Sequence, residues 1–336
     1  MDTRSWMAKP SIQQKKVSSL VLPGTHDSGT YALTRELSKI KYGNIAFLWD
    51  LEPGKAPDTW AGKAPYYLGD DLYNFVFSVI EDVSKAQDKS ILNQLNDGIR
   101  FFDLRMYFDS ATNDVHVQHG LRGCTLRTIL EDVSQFLKQS GGRELILLQV
   151  SHTNFTEKSE GITKLVSELN ACIEPKYVYT PKDVSSFGST VLEQITSSGS
   201  KVVVLDADNL PYPVGSTIFS ASIYQKAPGG ADGTSDVEAL KQREEAGLAQ
   251  QRTSPFYEVA WTLTPQVTDI AREVTSRLQG NPPQGVVEAM AKKANDHLRA
   301  FVEGRNKSQA FNLITVDWYE QSSLVEIAIE LTERAT

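Results

Sequence analysis

A histidine and an aspartate stand side by side in the run LPGTHDS at residues 22–28. An imidazole takes up and releases protons near neutral pH, and a neighbouring carboxylate can orient it or stabilise its charged form. Pro23 and Gly24 are typical of a turn, which would hold His26 and Asp27 on the backbone at the end of a short apolar strand. The pattern predicts a proton-transferring histidine, with a histidine in an ordinary polar turn as the alternative.

A carboxylate and a guanidinium alternate farther along, in the run GIRFFDLR at residues 98–105. Side chains two apart in a strand point the same way, so Asp103 and Arg105 would share one face. Arginine binds phosphate oxygens with a planar fork, and a carboxylate beside it can hold that fork in place. The spacing predicts a phosphate site, and a structural ion pair is the alternative.

A further histidine closes the strand-like run DVHVQHG at residues 114–120. Because side chains alternate along a strand, His119 shares a face with Val117 and not with His116. We interpret His119 as the functional residue and His116 as a partly exposed bystander. Clusters of this kind at several strand ends would meet at one edge of a parallel sheet.

In this order and spacing, the motifs resemble the X region of phosphatidylinositol-specific phospholipase C, in its bacterial, metal-independent form. The matching segments are PGTHDS at 23–28, QL at 94–95, GIRFFDLR at 98–105 and QHG at 118–120. Near the C-terminus, FNLITVDWYE at 311–320 resembles the last barrel strand of that family. The resemblance implies a phosphoric diester hydrolase or lyase. In its reaction, a substrate hydroxyl next to the phosphate attacks the phosphorus atom.

The resemblance assigns the two proton-transfer roles. His26 would be the general base, oriented by Asp317, and His119 the general acid, coupled to Asp27. An acid must hold its proton and a base must be able to accept one. We therefore expect a raised pKa for His119 and a pKa near neutrality for His26.

The same resemblance assigns Arg105 to the phosphate oxygens, with Asp103 positioning it. Calcium-dependent relatives carry acidic ligands at both alternate positions of this strand, whereas the fixed charge of Arg105 would repel a cation. We expect no metal and no cofactor. Because Asp27 and Asp103 are carboxylates near a phosphate, a metal-dependent barrel similar to glycerophosphodiesterases stays open as an alternative.

The chain departs from the bacterial pattern where the inositol ring would be bound. Bacterial enzymes have Lys and Glu after the fourth strand and Arg after the next, but this chain has SHTNF at 151–155 and DAD at 206–208. His152 and Asp206 are candidates for binding other hydroxyls or for capping loops, and we favour the loop role for Asp208. Buried groups that bind hydroxyls dominate specificity in such sites, so we expect weak or relaxed activity on phosphatidylinositol.

An insertion at about residues 37–90 is rich in Trp and Tyr. Trp49 and Trp60 are candidates for dipping into a lipid interface, where amphipathic rings are favoured. Packing of the insertion as a lid on the barrel is the alternative. A transient contact with a membrane surface is therefore a hypothesis for this segment.

Helices and strands alternate through the rest of the chain. The periodicity predicts amphipathic helices at 125–138, 184–195 and 286–302, and buried strands at 145–150 and 201–206 among others. The alternation predicts an α/β fold, a single distorted TIM-type β/α barrel covering residues 1–336. A doubly wound sheet would normally carry a glycine-rich loop after its first strand. A final helix is predicted to open with a capping box at Ser323.

Composition limits the partners. The chain has 336 residues, 40% of them apolar, and a formal net charge of -8, which argues against nucleic acid because binding its backbone needs clustered Lys and Arg. Cys124 and Cys172 have no metal or disulfide spacing. No apolar run predicts a signal peptide or a bilayer span, so we expect a soluble protein, cytoplasmic or, after loss of a leader, secreted. The predicted substrate is a phospholipid or a small phosphodiester, and a catalytically silent barrel that binds a phosphorylated head group is the rival hypothesis.

Overall fold

A computed structural model describes residues 2–38, 74–155, 157–220, 223–227, 233–304 and 311–335. Most of the predicted aromatic insertion, including Trp49 and Trp60, lies outside these residues. Among the residues described, no helix combines the length and the apolar character needed to cross a bilayer.

Strands in the described residues form one connected sheet. They are β1 (Leu22–Thr25), β2 (Phe101–Asp109), β3 (Asp114–His119), β4 (Leu121–Thr125), β5 (Leu145–Phe155), β6 (Lys201–Asp206), β7 (Ile218–Ser220), β8 (Tyr224–Gln225), β9 (Phe256–Trp261) and β10 (Leu313–Val316). The helices are α1 (Pro10–Gln13), α2 (74–84), α3 (Ile91–Asp97), α4 (Leu126–Gln139), α5 (Lys158–Cys172), α6 (Val184–Ser189), α7 (Leu192–Thr196), α8 (Val237–Leu248), α9 (Val267–Leu278), α10 (Val286–Glu303) and α11 (Leu324–Arg334).

The sheet is the wall of an incomplete barrel. Its strands pair in the order β7-β6-β5-β2-β1-β10-β9-β8, and every pair along this path is parallel. Within the described part of the chain, β7 and β8 are not paired with each other. The β3–β4 hairpin extends from β2 by antiparallel pairing. The predicted TIM-type α/β barrel is confirmed, with its wall unclosed between β7 and β8 as far as the structure describes the chain.

The sequence forms this wall because its strands are apolar on both faces. All residues of β1 and β10 are buried, and β6 is buried from Val202 onwards. Helix α4 covers the outside with the predicted apolar stripe of Leu126, Ile129, Val133 and Phe136. Burying a large aliphatic or aromatic side chain stabilises a fold by roughly 1.5–3 kcal/mol, so this stripe fixes the helix on the sheet.

Pro23 and Gly24 lie inside β1, so the predicted turn at these residues is wrong. The physical reason is close packing inside the barrel. A Cβ at residue 24 would lie 2.8 Å from the side chain of Leu313 and 3.0 Å from that of Phe101. The glycine is therefore needed for strand contact and not for a turn.

Two predicted helical features differ from the structure. The helix expected at 184–195 is split into α6 and α7, because Thr190 has an extended backbone with ψ 135°. The capping box at Ser323 is wrong, since its side chain makes no cap hydrogen bond. Ser322 accepts the Leu324 amide instead, at 3.2 Å. The assignment of residues 1–336 to a single domain stays a prediction.

Candidate active site

The six residues predicted to carry the chemistry meet at the carboxyl ends of the parallel strands, where barrel active sites lie. His26 and Asp27 follow β1, Asp103 and Arg105 belong to β2, His119 ends β3, and Asp317 follows β10. Strand β3 comes close because Gly29 packs on it, and a Cβ there would lie 2.6 Å from Val117. The side chains of His26 and His119 stay 26% and 21% exposed, so a substrate can reach both rings.

The His26 ring is held at both nitrogens. Its Nδ1 lies 2.8 Å from Asp317 Oδ1, and its Nε2 lies 2.6 Å from Nη2 of Arg105. An arginine can only donate a hydrogen bond, so Nε2 accepts and Nδ1–H donates to Asp317. This arrangement is the neutral tautomer, with the lone pair of a base on Nε2.

The pKa of His26 is set by opposing neighbours. Burial alone would lower this pKa, but the carboxylates of Asp27 and Asp317 raise it to about 9 against the opposing charge of Arg105. The prediction of a value near neutrality is therefore wrong, because two buried carboxylates flank the ring. A proton and the Arg105 guanidinium compete for Nε2, and the protonated ring has Asp27 Oδ2 within 3.4 Å.

Arg105 is held mainly by Asp27. Its Nε lies 2.5 Å from Asp27 Oδ1 and 3.8 Å from Asp103 Oδ2. Asp103 in turn accepts a hydrogen bond from Ser151 Oγ at 2.6 Å. Burial would raise the pKa of both carboxyl groups, but Arg105, His26 and further neighbours together outweigh it and lower both pKa values. Asp27 thus takes over much of the positioning role predicted for Asp103.

His119 is fixed by a backbone carbonyl. Its Nδ1 lies 2.7 Å from the Ser84 oxygen, so Nδ1 carries a hydrogen, and its Nε2 lies 3.4 Å from Asp27 Oδ2. Burial lowers the pKa of His119 in spite of the Asp27 charge. The predicted raised pKa is wrong for the protein without substrate. An anionic phosphodiester next to Nε2 would favour the charged ring.

A metal ion at this site would compete with the guanidinium of Arg105. His26, Asp27 and Asp103 offer ligand atoms within 4.8 Å of one another, which is compact enough for a metal ion. The guanidinium of Arg105 already contacts both carboxylates. Its fixed positive charge would repel a divalent ion placed between them.

The candidate substrate-binding residues differ in where they lie. His152 has a left-handed backbone with φ 46°, and its Nδ1 lies 3.2 Å from Ser151 Oγ. His152 is exposed at the edge of the site, and burial of its ring together with Arg105 lowers its pKa. Asp206 is fully buried, and its carboxylate accepts the backbone amides of Asp208 and Leu210 at 2.9 and 2.6 Å. Asp206 therefore matches the loop-capping alternative.

Two neighbouring predictions have clear outcomes. Asp208 accepts hydrogen bonds from the amide and hydroxyl of Thr153 at 2.6 and 2.7 Å, which confirms its loop role. His116 is buried and not partly exposed as predicted, because its Nδ1 lies 3.2 Å from the Gly123 carbonyl within the β3–β4 hairpin.

Comparison with known proteins identifies this arrangement. Residues 78–205 match the family model described as "Phosphatidylinositol-specific phospholipase C, X domain". The chain therefore carries a segment that is similar to the PI-PLC X domain. A PI-PLC X-box domain-containing protein of Dictyostelium discoideum is 28% identical over 172 residues, which are 50% of this chain and 19% of that protein. The chain therefore spans about a fifth of that relative's length.

Other similarities extend over nearly all of the chain. PI-PLC X domain-containing protein 3 of Danio rerio is 24% identical over 342 residues, covering 97% of this chain and 92% of that protein. The phosphatidylinositol-specific phospholipase C of Listeria monocytogenes superposes with a TM-score of 0.58 at 15% identity, covering 98% of this chain and 99% of that one. At this identity the likeness in structure establishes the fold.

Sequence reasoning missed a second polar cluster in the barrel, next to the candidate site. Lys226 follows β8, and its Nζ lies 2.8 Å from Oε2 of Glu258 in β9. Oε1 of Glu258 accepts the Thr315 hydroxyl at 2.7 Å. Burial would lower the pKa of Lys226, but Glu258 and Asp103 raise it, so the ammonium stays charged beside the site. A glutamate within the apolar run of β9 was the available signal.

Proposed function

We propose that this chain is a phosphodiesterase of the PI-PLC type, which cleaves a phospholipid or a related phosphodiester through attack by a neighbouring hydroxyl. One observation carries the proposal. The Nε2 atoms of His26 and His119 both lie 3.4 Å from Oδ2 of Asp27, and the Arg105 guanidinium lies beside them. An acid, a base and a phosphate-binding cation are thus within reach of one substrate.

The first half of the reaction uses the base. His26 Nε2 takes the proton of the substrate hydroxyl, and Asp317 stabilises the imidazolium that forms. The hydroxyl oxygen bonds to phosphorus, so that a cyclic phosphodiester arises. The N–H of Arg105 that now donates to His26 turns to a non-bridging phosphate oxygen, where charge accumulates in the transition state.

The second half uses the acid. As the bond from phosphorus to the leaving oxygen breaks, His119 donates its Nε2 proton to that oxygen. The Ser84 carbonyl keeps Nδ1–H in place, and Asp27 stabilises the charged ring before the transfer. The reaction is balanced in protons, because His26 gains one proton and His119 loses one.

Metal independence is part of the proposal. Arg105 supplies the positive charge that a calcium or magnesium ion would otherwise bring to the phosphate, and it neutralises the carboxylates that would bind that ion. The metal-dependent alternative predicts loss of turnover in a chelator. The silent-barrel alternative predicts binding without turnover, and two histidines in acid and base positions argue against it.

The substrate class is a phosphodiester with a hydroxyl next to the phosphate. The carboxylate of Asp206 is used in capping a loop, so it does not serve to bind the hydroxyls of an inositol ring. This supports the expectation of weak or relaxed activity on phosphatidylinositol. Lys226 and Glu258 offer an ammonium and a carboxylate that can bind hydroxyls of a head group. We expect a different hydroxylated diester to be preferred.

The test is an assay on vesicles of phosphatidylinositol, phosphatidylglycerol or lysophospholipid, with and without a chelator. Phosphorus NMR identifies the product. We expect a cyclic phosphodiester from at least one lipid, at a rate that the chelator does not change, and with phosphatidylinositol not the best substrate. Selective and rapid cleavage of phosphatidylinositol would contradict the substrate assignment, and absence of turnover on all lipids would contradict the function.

A further inference from the structure

Gln87 is fully buried and joins two strands of the barrel at the proposed active site. Its Nε2 donates hydrogen bonds to the backbone carbonyls of His26 and Val316, both at 2.9 Å. Both hydrogens of the amide are thereby used. Its Oε1 lies 3.4 Å from the amide nitrogen of Tyr319, which donates to it. One side chain thus holds the base and the residue that precedes Asp317.

The backbone around Gln87 makes further contacts with the site. The amides of Ala86 and Gln87 donate to Thr30 Oγ1 at 2.9 and 3.1 Å, and this hydroxyl donates to the Asp27 carbonyl at 2.8 Å. The carbonyl of Ser84, in the same segment, accepts the hydrogen bond from His119 Nδ1. The 84–87 segment therefore contacts the loops or rings of both histidines.

The backbone after Asp317 needs such support. Trp318 has φ 44°, a left-handed conformation that is unfavourable for a large side chain. Its amide donates to the Ala86 carbonyl at 2.7 Å, and its indole N–H donates to the Lys85 carbonyl at 3.1 Å. A strained residue persists only where its surroundings hold it. The hydrogen bonds from Trp318 to the 84–87 segment stabilise this conformation next to Asp317.

We propose that Gln87 is a positioning residue, which sets the distance between His26 and Asp317 from behind the site. The bidentate amide fixes the ends of β1 and β10, so the 2.8 Å contact between the imidazole and the carboxylate follows from backbone geometry. Gln87 touches no reacting atom. The catalytic consequence rests on the proposed function, whereas the effect on the His26–Asp317 pair does not.

Gln13 provides a matched control at the opposite end of the barrel. It is also buried, and its Nε2 donates to the carbonyls of Met7 and Arg143 at 2.9 and 3.0 Å. Its Oε1 accepts the Thr196 hydroxyl at 2.8 Å. A loss of buried hydrogen bonds costs about the same at both positions, so a purely structural role would make the two glutamines equivalent.

Titration of His26 reports the position of Asp317. The ionisable groups facing the ring are Asp27 beside it, Asp103 and Arg105 on β2, His119 on β3 and Asp317 after β10. Of these, Asp317 is the group whose distance Gln87 is proposed to set. If Asp317 withdraws, the raised pKa of His26 must fall towards its ordinary value.

The experiment compares Gln87→Met with Gln13→Met, which keep the side-chain volume but remove the hydrogen bonds. Histidine NMR titration follows His26, and steady-state kinetics on the best lipid substrate give kcat and KM. In Gln87→Met we expect the His26 midpoint to fall by about one pH unit or more, kcat to fall about 10- to 100-fold, and KM to change little. In Gln13→Met we expect none of these changes.

An unchanged His26 midpoint in a folded Gln87→Met protein, or an equal shift in Gln13→Met, would overturn the proposal. If circular dichroism shows that Gln87→Met does not fold, Thr30→Val decides in its place. That variant removes the hydroxyl that accepts hydrogen bonds from the amides of Ala86 and Gln87. We expect the His26 midpoint to shift in the same direction by a smaller amount. If the wild type proves inactive, the NMR titration still tests the positioning role separately from the proposed function.

Discussion

Distances between a few charged atoms decide which protons can move at this site. Residue type and spacing, which are local properties, pointed to five of its six central residues, and the resemblance of the C-terminal run added Asp317. The sequence did not predict their protonation. The pKa of His26 depends on Asp317, which lies far away in sequence, and on burial, and the contact of Arg105 with Asp27 depends on how β1 and β2 meet.

Arg105 is the residue whose shape matters as much as its charge. Arg105→Lys keeps one positive charge but loses the planar fork that contacts Asp27 and His26 and is proposed to bind the phosphate. We expect kcat to fall about 10²-fold or more, since such transition-state donors contribute this much. Steady-state kinetics measure the loss. Arg143→Lys, at a half-exposed pair with Glu193, is the control and should behave as wild type.

Asp317 should set the alkaline side of the pH profile. The active form has His26 neutral and His119 protonated, which is the reverse of the form that prevails between their two pKa values. The population of the active form is level between these values and falls above the higher one, so kcat/KM falls above the pKa of His26, which is about 9. The acidic limb follows His119, whose pKa is lowered. Asp317→Asn removes a carboxylate and should move the alkaline limb to lower pH. A pH–rate profile checks this, and an alkaline limb that stays in place would disprove the assignment.

The same pKa makes folding stability depend on pH. The pKa of His26 is raised by folding from 6.5 to about 9, so this group stabilises the native state fully below pH 6.5, and the contribution is lost as pH rises through about 9. Thermal unfolding should therefore show a drop in Tm across this window. Asp317→Asn should flatten that drop, whereas an unaltered drop would show that another group causes it.

At the scale of helices and strands, periodicity predicted the central strands and several helices, but it missed others, among them α5, α8 and α9. Helix α4 and strand β6 match the predictions closely, because one apolar stripe or run defines each. Pro23 and Gly24 were interpreted as a turn because local rules take no account of the side chains of Leu313 and Phe101 across the barrel. The 84–87 segment could not be predicted, since its partners are spread over most of the chain.

Strands β8 and β9 should contribute substrate binding through Lys226. Lys226→Met removes an ammonium at the mouth, and hydrogen bonds from charged groups contribute about 1.5–3 kcal/mol. We expect KM for a hydroxylated lipid to rise about 10-fold or more, with a smaller change in kcat. Lys292→Met, at an exposed pair with Asp296, is the control. An unchanged KM in Lys226→Met would make the pair with Glu258 purely structural.

The aromatic insertion should matter mainly for substrates at an interface. Trp49 and Trp60 lie outside the described residues, so this prediction rests on the sequence. We expect Trp49→Ala and Trp60→Ala to lower activity on vesicles more than on a soluble diester, because indole rings favour the interface. Parallel assays on both substrates measure the ratio. Equal losses on both would favour the packed lid.

At the scale of the whole molecule, ion pairs lie at both ends of the barrel strands. Arg100 and Glu144 form a fully buried pair at the amino ends of β2 and β5, with Nε 2.8 Å from Oε2. The pairs of His26, Asp27 and Arg105 lie at the opposite ends of the strands. The sequence predicted the barrel because strands and helices alternate, but it did not predict that β7 and β8 are unpaired with each other in the described part of the chain.

The central claim is that His26 and His119 act as base and acid without a metal. In a chelator, wild type, His26→Ala and His119→Ala are assayed on two hydroxylated phosphodiesters, one with an alkyl and one with a nitrophenyl leaving group. A nitrophenolate needs no acid, so His119→Ala should lose about 10²–10⁴-fold on the alkyl ester only, and His26→Ala should lose as much on both. Equal losses on both esters in His119→Ala, or no turnover by the wild type in the chelator, would contradict the account.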